Sequence, residues 1–153
     1  MALFLVQHGK SLPRDKDPQQ GLSEEGIAET KRIAQVAKGH KVHVDGISHS
    51  GKTRARQTAD IFEAVLKPSG GIHEHSGLNP LDDVATFAHT IDPTEDIMLV
   101  GHLPFMERLT AYLITGSIEK PVFKFQNSGI VCMDKGPHTR SWVIKWTLMP
   151  NIG

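Results

Sequence analysis

Two short apolar runs limit the folds that this chain can adopt. Residues 2–6 read ALFLV and residues 96–100 read DIMLV, and neither run alternates polar with apolar residues. A continuous apolar run of this length is typical of a strand that is buried on both faces, as in a parallel sheet covered by helices. Amphipathic stretches alternate with these runs along the chain, and this alternation predicts an α/β fold.

The other stretches carry helix and strand signals of their own. Ser23 is placed to cap a helix whose apolar residues recur at helical spacing up to Gly39, and a second helix is predicted from Thr53 to Leu66. A short helix is predicted over 83–91, and another helix follows the DIMLV strand and continues through Leu113. A weaker strand is predicted near 44–48. Three predicted strands, PVFKF (121–125), GIVCM (129–133) and SWVIKWTLM (141–149), indicate an antiparallel portion near the C-terminus.

Length and charge narrow the class of protein. A chain of 153 residues suits one domain, predicted here to span residues 1–153. Lysine plus arginine equals aspartate plus glutamate at 17 each, so the net charge of zero favours neither nucleic acid nor an anionic membrane as partner. A single cysteine, Cys132, excludes an internal disulfide and favours a reducing compartment. Because MALFLV is too short for a signal-peptide core or a membrane span, a cytoplasmic location is expected.

Both buried runs end in a histidine beside a glycine. Gln7, His8 and Gly9 follow the first run, and Gly101 and His102 follow the second. Ligands of open α/β sheets bind at the carboxyl ends of strands, so the two histidines are expected to face each other across one site. The alternative interpretation is that each is a structural histidine, partly buried and held by hydrogen bonds.

A cluster of cations marks the start of the second predicted helix. The predicted helix N-terminus, where the helix dipole has its positive end, carries Lys52, Arg54 and Arg56. Repulsion between the dipole and each of these cations costs up to ~1 kcal/mol. A bound anion, most naturally phosphate, would relieve that repulsion. The alternative is that the long side chains point into water, which the sequence favours for Lys52 and Arg56. One cation aimed inward is sufficient for a phosphate site.

A second phosphate-binding pattern overlaps this cluster. Residues 46–53, GISHSGKT, match the phosphate-loop pattern G-x-x-x-x-G-K-[ST]. The preceding KVHVD is a weak strand for a motif that normally follows a central one. The DIMLV run ends in Gly-His and offers no aspartate to hold magnesium. The context therefore disfavours a nucleotide-binding loop.

The high histidine count also raises metal binding as an alternative. His73 and His75 have a spacing seen in metal sites, but the chain contains neither Cys-x-x-Cys nor His-Glu-x-x-His. No metal site is predicted. The polar surroundings predict surface positions for His40, His43, His73, His75 and His138, and leave His49 and His89 undecided.

Four motifs together resemble those of the histidine phosphatase superfamily, most closely its small SixA-type phosphohistidine phosphatases. LVQHGKS (5–11) resembles the Arg-His-Gly motif of the first strand, and LSEEG (22–26) resembles the Leu-Thr/Ser-x-x-Gly helix start. RARQTA (54–59) is similar to the Arg-Ala-x-Gln-Thr-Ala segment, and LVGHLP (99–104) to the Val-Gly-His-x-Pro motif. The resemblance implies a three-layer α/β/α sandwich with a mostly parallel sheet, and it makes residues 46–48 strand rather than loop.

The resemblance also implies roles for individual residues. His8 would be the nucleophile that takes the phosphoryl group, Arg54 would contact the phosphate, and His102 would stabilise it from the opposite side. Gln7 would share the phosphate site, although the family usually has arginine there. An amide donates a neutral hydrogen bond but supplies neither charge nor a bidentate fork. Lys10 or Arg14 in the following loop would compensate in part.

A second departure concerns the general acid. Phosphomonoesterases of the superfamily use a carboxylate after the third strand, and the matching stretch here has none before Asp82 and Asp83. An alkoxide needs a proton as it departs, whereas imidazole has a reference pKa of about 6.5 and leaves with little help. The missing acid therefore favours phosphohistidine over sugar phosphates as substrate.

The sequence thus predicts a phosphatase that removes phosphate from protein phosphohistidine through a covalent intermediate on His8, without metal or organic cofactor. The predicted partner is a phosphorylated histidine-containing protein, such as a phosphorelay domain, with no nucleic acid and no membrane. One alternative is a pseudophosphatase that binds phosphohistidine or phosphate without useful turnover, because Gln7 weakens the site. Another is a small phosphomonoesterase that uses Asp82 or Asp83 as its acid.

Overall fold

The computed structural model describes residues 2–136 and 141–152. These residues contain six strands and four helices, and strands and helices alternate from β1 to β5. The strands are β1 (Ala2–Gln7), β2 (Gly46–His49), β3 (Ile72–Glu74), β4 (Ile97–Gly101), β5 (Ile130–Lys135) and β6 (Trp142–Leu148). The helices are α1 (Glu24–Gly39), α2 (Thr53–Leu66), α3 (Val84–Ala88) and α4 (Phe105–Thr115).

The strands form one sheet in the order β3-β2-β4-β1-β5-β6. β1 lies parallel to β4, and β2 lies parallel to both β3 and β4. β5 runs antiparallel to β1 and to β6. The predicted α/β class, with a mostly parallel sheet and an antiparallel portion near the C-terminus, is confirmed.

Helices cover both faces of the sheet, which explains why the β1 run contains no polar position. Alternate residues of β1 enter different cores, since successive side chains of a strand point to opposite faces. Phe4 and Val6 pack with Ile33 and Phe62 of α1 and α2, whereas Leu5 packs with Phe105 of α4. The arrangement is the expected three-layer α/β/α sandwich.

Local signals place the ends of the first two helices correctly. The Ser23 hydroxyl accepts a hydrogen bond from the Gly26 amide at 3.0 Å, so it caps α1 as predicted. α1 ends at Gly39, and α2 has the predicted bounds Thr53–Leu66. These boundaries follow from residues that are adjacent in sequence, which is why the sequence suffices to find them.

One predicted strand is wrong and one observed strand was not predicted. PVFKF (121–125) forms no strand, because Phe123 and Phe125 pack into the core on the α4 side of the sheet instead of pairing along a strand edge. The Phe125 amide instead donates to the Glu107 carboxylate of α4 at 3.1 Å. β3 has only three residues, none of them fully buried, so it gives no apolar signal. α3 is also shorter than its predicted range of 83–91.

The phosphate-loop alternative is excluded by the position of β2. Residues 46–49 are paired with both β3 and β4, so the first half of the GISHSGKT pattern is strand. A phosphate-binding loop needs those residues as free backbone that wraps an anion.

Within the described ranges, the structure contains no helix with both the length and the apolar character needed to cross a bilayer.

Candidate active site

Three chain segments leave the sheet at the same edge and bring the predicted residues together. His8 follows β1, His102 follows β4, and Ser50 follows β2, and these strands are parallel neighbours in the sheet. The ring centroids of His8 and His102 lie 5.1 Å apart with an interplanar angle of 51°. The two glycine-flanked histidines therefore share one site, as their positions in sequence predicted.

Hydrogen bonds fix the tautomer of His8. Its Nδ1 lies 2.7 Å from the carbonyl oxygen of Gly9. A carbonyl oxygen can only accept, so Nδ1 carries the hydrogen and Nε2 keeps its lone pair. The His8 amide donates to the Gly101 carbonyl at 2.9 Å, which extends the β1–β4 pairing to this residue. The backbone thus presents an imidazole whose Nε2 is free to act as a nucleophile.

Burial keeps that imidazole in its nucleophilic form. Removal from water lowers the pKa of His8 below its ordinary value, and the nearby charge of Arg54 lowers it further. The hydrogen bond to Gly9 opposes these effects because it favours the protonated ring. The net shift of the pKa is downward, so His8 is predominantly neutral at neutral pH.

His102 is enclosed more completely. The side chain is 1 % exposed, and its Nε2 lies 2.6 Å from the hydroxyl oxygen of Ser50. Among the described residues its Nδ1 has no hydrogen-bond partner, so an imidazolium would leave a buried N–H unpaired. Burial, followed by the charges of His8, Arg54 and Lys52, lowers the pKa of His102 to about 3. This histidine is therefore neutral and acts as a hydrogen-bonding group.

The basic cluster divides into one inner and two outer cations. Arg54 in the first turn of α2 is half-buried, whereas Lys52 and Arg56 are exposed. Burial lowers the pKa of Arg54, as does the charge of Arg14 in the loop after β1. No carboxylate lies within ion-pair distance of either arginine among the described residues. Two neighbouring guanidinium groups without a counter-charge favour a bound anion.

Gln7 and the two cations suggested to compensate for it have different environments. The Gln7 side chain is half-buried, and its Oε1 has no partner in the described part of the chain. Lys10 lies 2.7 Å from Glu25 and 3.8 Å from Glu29, so its charge is paired with carboxylates of α1. The charge of Arg14, by contrast, acts on Arg54. Compensation for Gln7 by either cation stays a prediction.

Gly9 is held in a space that admits no side chain. A Cβ atom at this position would lie 2.8 Å from Thr30 Oγ1 and 3.0 Å from Ser128 Oγ. Its amide donates to the hydroxyl of Thr58 at 2.9 Å, and that hydroxyl in turn donates to the Arg54 carbonyl at 2.7 Å. Thr58 consequently joins the His8 loop to the helix that carries Arg54.

Other residues that support the site were not recognised in the sequence. The Asn127 side chain donates from Nδ2 to the carbonyl of His8 at 2.9 Å, and the Ser128 amide donates to the carbonyl of Gln7 at 2.8 Å. Thr58 belongs to the RARQTA motif (54–59), so the sequence could have indicated its role. Nothing near Asn127 in sequence indicates that it contacts His8, 119 positions away. Ser50 lies in the GISHSGKT segment, whose pattern depends on glycine, lysine and threonine and gives no role to this hydroxyl.

The two candidate acids are engaged in their own loop. Asp82 accepts the Asn79 amide at 2.9 Å, and Asp83 accepts the hydroxyl of Thr86. Within the described residues neither carboxylate has a hydrogen bond or ion pair with His8, Arg54 or His102. Their assignment as acid stays a prediction without a contact that supports it.

The remaining histidines have mainly local roles. His49 is buried and accepts the Gly51 amide at 3.0 Å, and burial lowers its pKa. His73 donates to the Gly70 carbonyl and half-buried His75 to the Ser76 carbonyl, so their rings serve separate turns rather than one metal. His40, His43 and His89 are exposed, and His138 lies outside the described residues.

Comparisons with known proteins agree with the fold and the motifs. The model of the histidine phosphatase superfamily (branch 1) matches residues 3–83. The phosphohistidine phosphatase SixA of Escherichia coli (strain K12) is 27% identical over 149 residues, covering 93% of this chain and 92% of its own. A solved structure of the protein histidine phosphatase SixA complexed with tungstate has a TM-score of 0.82 at 26% identity, covering 98% of this chain and 97% of its own.

The same fold also occurs in enzymes named for other substrates. An α-ribazole phosphatase from Shigella flexneri matches with a TM-score of 0.75 at 16% identity, covering 100% of this chain and 98% of its own. At that identity the likeness shows the fold alone. The architecture by itself therefore does not select a substrate, and the argument for one depends on individual residues.

Proposed function

Because the chain belongs to the histidine phosphatase superfamily, we propose that it hydrolyses phosphohistidine carried by a protein, through a phosphoryl group bound covalently to His8. The family and the SixA relatives support a phosphatase of the hydrolase class. One observation carries the finer proposal. His8 is held with Nδ1 donating to the Gly9 carbonyl, while burial keeps the ring neutral and leaves Nε2 available for attack.

In the first step, His8 Nε2 attacks phosphorus and the P–N bond of the substrate breaks. When the substrate ring enters protonated, it leaves as neutral imidazole, and the positive charge passes to the ring of phospho-His8. The Nδ1–H of that ring is already directed at the Gly9 carbonyl, which favours the cationic form. Bond broken and bond formed are of one kind, so the transfer is nearly balanced in energy and needs no carboxylic acid.

Arg54 and His102 act on the phosphoryl oxygens in this proposal. Arg54 supplies the charge-assisted hydrogen bonds that hold the group, and Arg14 adds positive charge from the adjacent loop. His102 stays neutral and, with its hydrogen on Nε2, donates to a phosphoryl oxygen that takes the place of the Ser50 hydroxyl. Attack of water on phospho-His8 then releases phosphate and restores the free ring. No step uses a metal or an organic cofactor.

The local hydrogen bonds of Asp82 and Asp83 support phosphohistidine over an ester substrate. A leaving alkoxide requires a proton donor in hydrogen-bond reach, and both carboxylates are bound to their own turn. We propose that the substrate is a phosphorylated histidine-containing protein, with a phosphorelay domain as the expected partner. The same proposal treats residues 1–153 as one catalytic domain in a reducing, cytoplasmic setting.

The reaction can be tested with two substrates in parallel. We expect rapid phosphate release from a phosphorylated histidine domain and little from p-nitrophenyl phosphate. The reverse order would support the phosphomonoesterase alternative. Binding of vanadate without turnover of either substrate would support a pseudophosphatase, the alternative that Gln7 in place of arginine favours.

The covalent step has a separate test. Brief exposure to labelled phosphohistidine substrate, followed by an alkaline quench, should trap acid-labile phosphate on the protein. His8→Ala should abolish that label, whereas His73→Ala at an exposed turn should leave it unchanged. Label and turnover that persist in His8→Ala would refute the assignment of the nucleophile.

A further inference from the structure

A polar cavity of about 280 Å³ lies beside the histidine site and has no part in the mechanism above. It opens at the sheet edge where β1 ends, between the first half of α1 and the segments that flank β5 and β6. Asn127, which donates to the His8 carbonyl, forms part of its wall. The residues that line it are Lys10, Glu29, Phe125, Gln126, Asn127 and the turn after β6.

Glu29 gives this cavity its chemical character. The side chain is only 8% exposed, and its Oε1 has no hydrogen-bond partner among the described residues. Its other oxygen lies 3.8 Å from the Lys10 ammonium, which makes its shorter contact of 2.7 Å with exposed Glu25. A buried carboxylate oxygen without a donor is costly, so Glu29 Oε1 favours a hydrogen-bond donor in addition to the distant Lys10 ammonium.

Two further donors, Gln126 in the wall and Arg32 on the same helix as Glu29, are already engaged. Gln126 exchanges two hydrogen bonds with the backbone of Asn151, accepting from its amide at 3.0 Å and donating to its carbonyl at 2.9 Å. Arg32, one turn along α1 from Glu29, donates to the Pro150 carbonyl at 2.9 Å. The donor that Glu29 Oε1 needs can therefore come from outside the chain without breaking an existing contact.

We infer that the Glu29 cavity receives a lysine or arginine side chain of the phosphoprotein, close to its phosphohistidine. This inference rests on the proposed function, since the substrate's phosphoryl group must occupy the adjacent His8 site. The two sites on this protein that would contact the substrate have opposite charge. Arg54 and Arg14 attract the phosphoryl group, while Glu29 attracts a cation on the same partner, which fixes the orientation of the substrate.

Binding of a stable analogue tests the inference without requiring turnover. The probes are peptides that carry a non-hydrolysable phosphohistidine analogue and one lysine, moved through successive positions around it, with an otherwise identical all-glutamine peptide. We expect the best lysine peptide to bind the protein about tenfold more tightly than the glutamine peptide, as for a hydrogen bond between charged groups. Glu29→Gln should reduce that ratio to near one.

Glu25→Gln is the matched control. Glu25 also contacts Lys10, but it is exposed and does not line the cavity, so its substitution should leave the lysine preference unchanged. Inhibition by vanadate should be the same in both variants, which reports an intact phosphate site. Because partial unfolding of Glu29→Gln would weaken both peptides alike, the ratio remains informative, and in the wild type it should also fall with added salt.

The outcomes separate this inference from the proposed function. A lysine preference that persists in Glu29→Gln, or a wild type that binds the peptides equally or not at all, would overturn the inference. Hydrolysis of authentic phosphohistidine peptides without a lysine preference would retain the phosphatase and reject the cavity's role. A preference that depends on Glu29, in a protein that does not hydrolyse phosphohistidine, would retain the cavity and reject the enzyme.

Discussion

Replacing Gln7 by arginine tests how this site functions without the cation that its family usually has there. Gln7 ends β1 directly before the proposed nucleophile and pairs in register with Gly101, and its buried Oε1 has no partner among the residues that the structure describes. Arginine at this position would add a positive charge close to His8. We expect Gln7→Arg to tighten the binding of phosphate-like anions and to shift the pH dependence of turnover.

The size of the effect follows from the kind of hydrogen bond. A neutral amide donor contributes about 1 kcal/mol, whereas a donor that is charged contributes roughly 1.5–3 kcal/mol. The substitution should therefore tighten vanadate binding by about 1–2 kcal/mol, a reduction of roughly five- to thirtyfold in its inhibition constant. Gln7→Met, which removes the amide at similar length, should weaken it by about 1 kcal/mol.

The pH effect has a definite sign. His8 must be neutral to attack, so the rate falls on the acid side as pH drops through the pKa of His8. Burial and Arg54 already lower that pKa, and an arginine at position 7 would lower it further. The acidic limb of the pH–rate profile should consequently move to lower pH in Gln7→Arg. Burial thus already supplies part of the decrease in the pKa of His8 that an arginine at position 7 would cause.

The assay compares vanadate inhibition and pH–rate profiles on one phosphohistidine substrate. Gln35→Arg, which adds the same charge on the exposed face of α1, controls for a change in overall charge. If Gln7→Arg and Gln35→Arg both match the wild type in inhibition constant and acidic limb, the side chain at position 7 does not reach the phosphate.

Three further outcomes follow from the same site. Thr58→Val should lower the free energy of unfolding by about 1–3 kcal/mol in urea denaturation, because it leaves the buried Gly9 amide without an acceptor; an unchanged midpoint would contradict this. Arg54→Ala should weaken vanadate binding by ~1.5–3 kcal/mol and exposed Arg56→Ala far less, and equal losses would indicate a diffuse basic surface. His102 has a folded pKa of about 3 against about 6.5 when unfolded, so the unfolded state alone takes up its proton as pH falls below 6.5. Stability should decline by up to about 1.4 kcal/mol per pH unit down to pH 3, and His102→Gln should flatten this decline in urea titrations at successive pH values.

Part of this structure was predictable because its signals are local. The ALFLV run predicted β1, and the residues around Ser23 and Thr53 predicted where α1 and α2 begin. The histidine at the end of each buried strand was enough to place His8 and His102 at one sheet edge, since parallel strands share their carboxyl ends. These inferences need only the periodicity of the chain and the chemistry of neighbouring residues.

The secondary-structure prediction failed where a segment's contacts are with residues far away in sequence. PVFKF has strand-like composition, but Phe123 and Phe125 pack on the α4 side of the sheet, and the Phe125 amide bonds to Glu107 of α4. Apolar composition indicates that a segment will be buried. It does not indicate whether the segment will be buried as a paired strand or against a helix.

The amino-acid sequence was enough to establish the fold class and the family and to propose which residues carry the chemistry, because each inference depends on residue types at short spacings. The tertiary structure decided the burial and hydrogen bonding of these residues. It shows that Arg54 is the half-buried cation, that Nε2 of His8 keeps its lone pair, and that Glu29 Oε1 has no donor among the described residues. Protonation and hydrogen bonding depend on desolvation and on distances between segments as remote as His8 and Asn127. Those quantities exist only once the strands have paired and the helices have covered them.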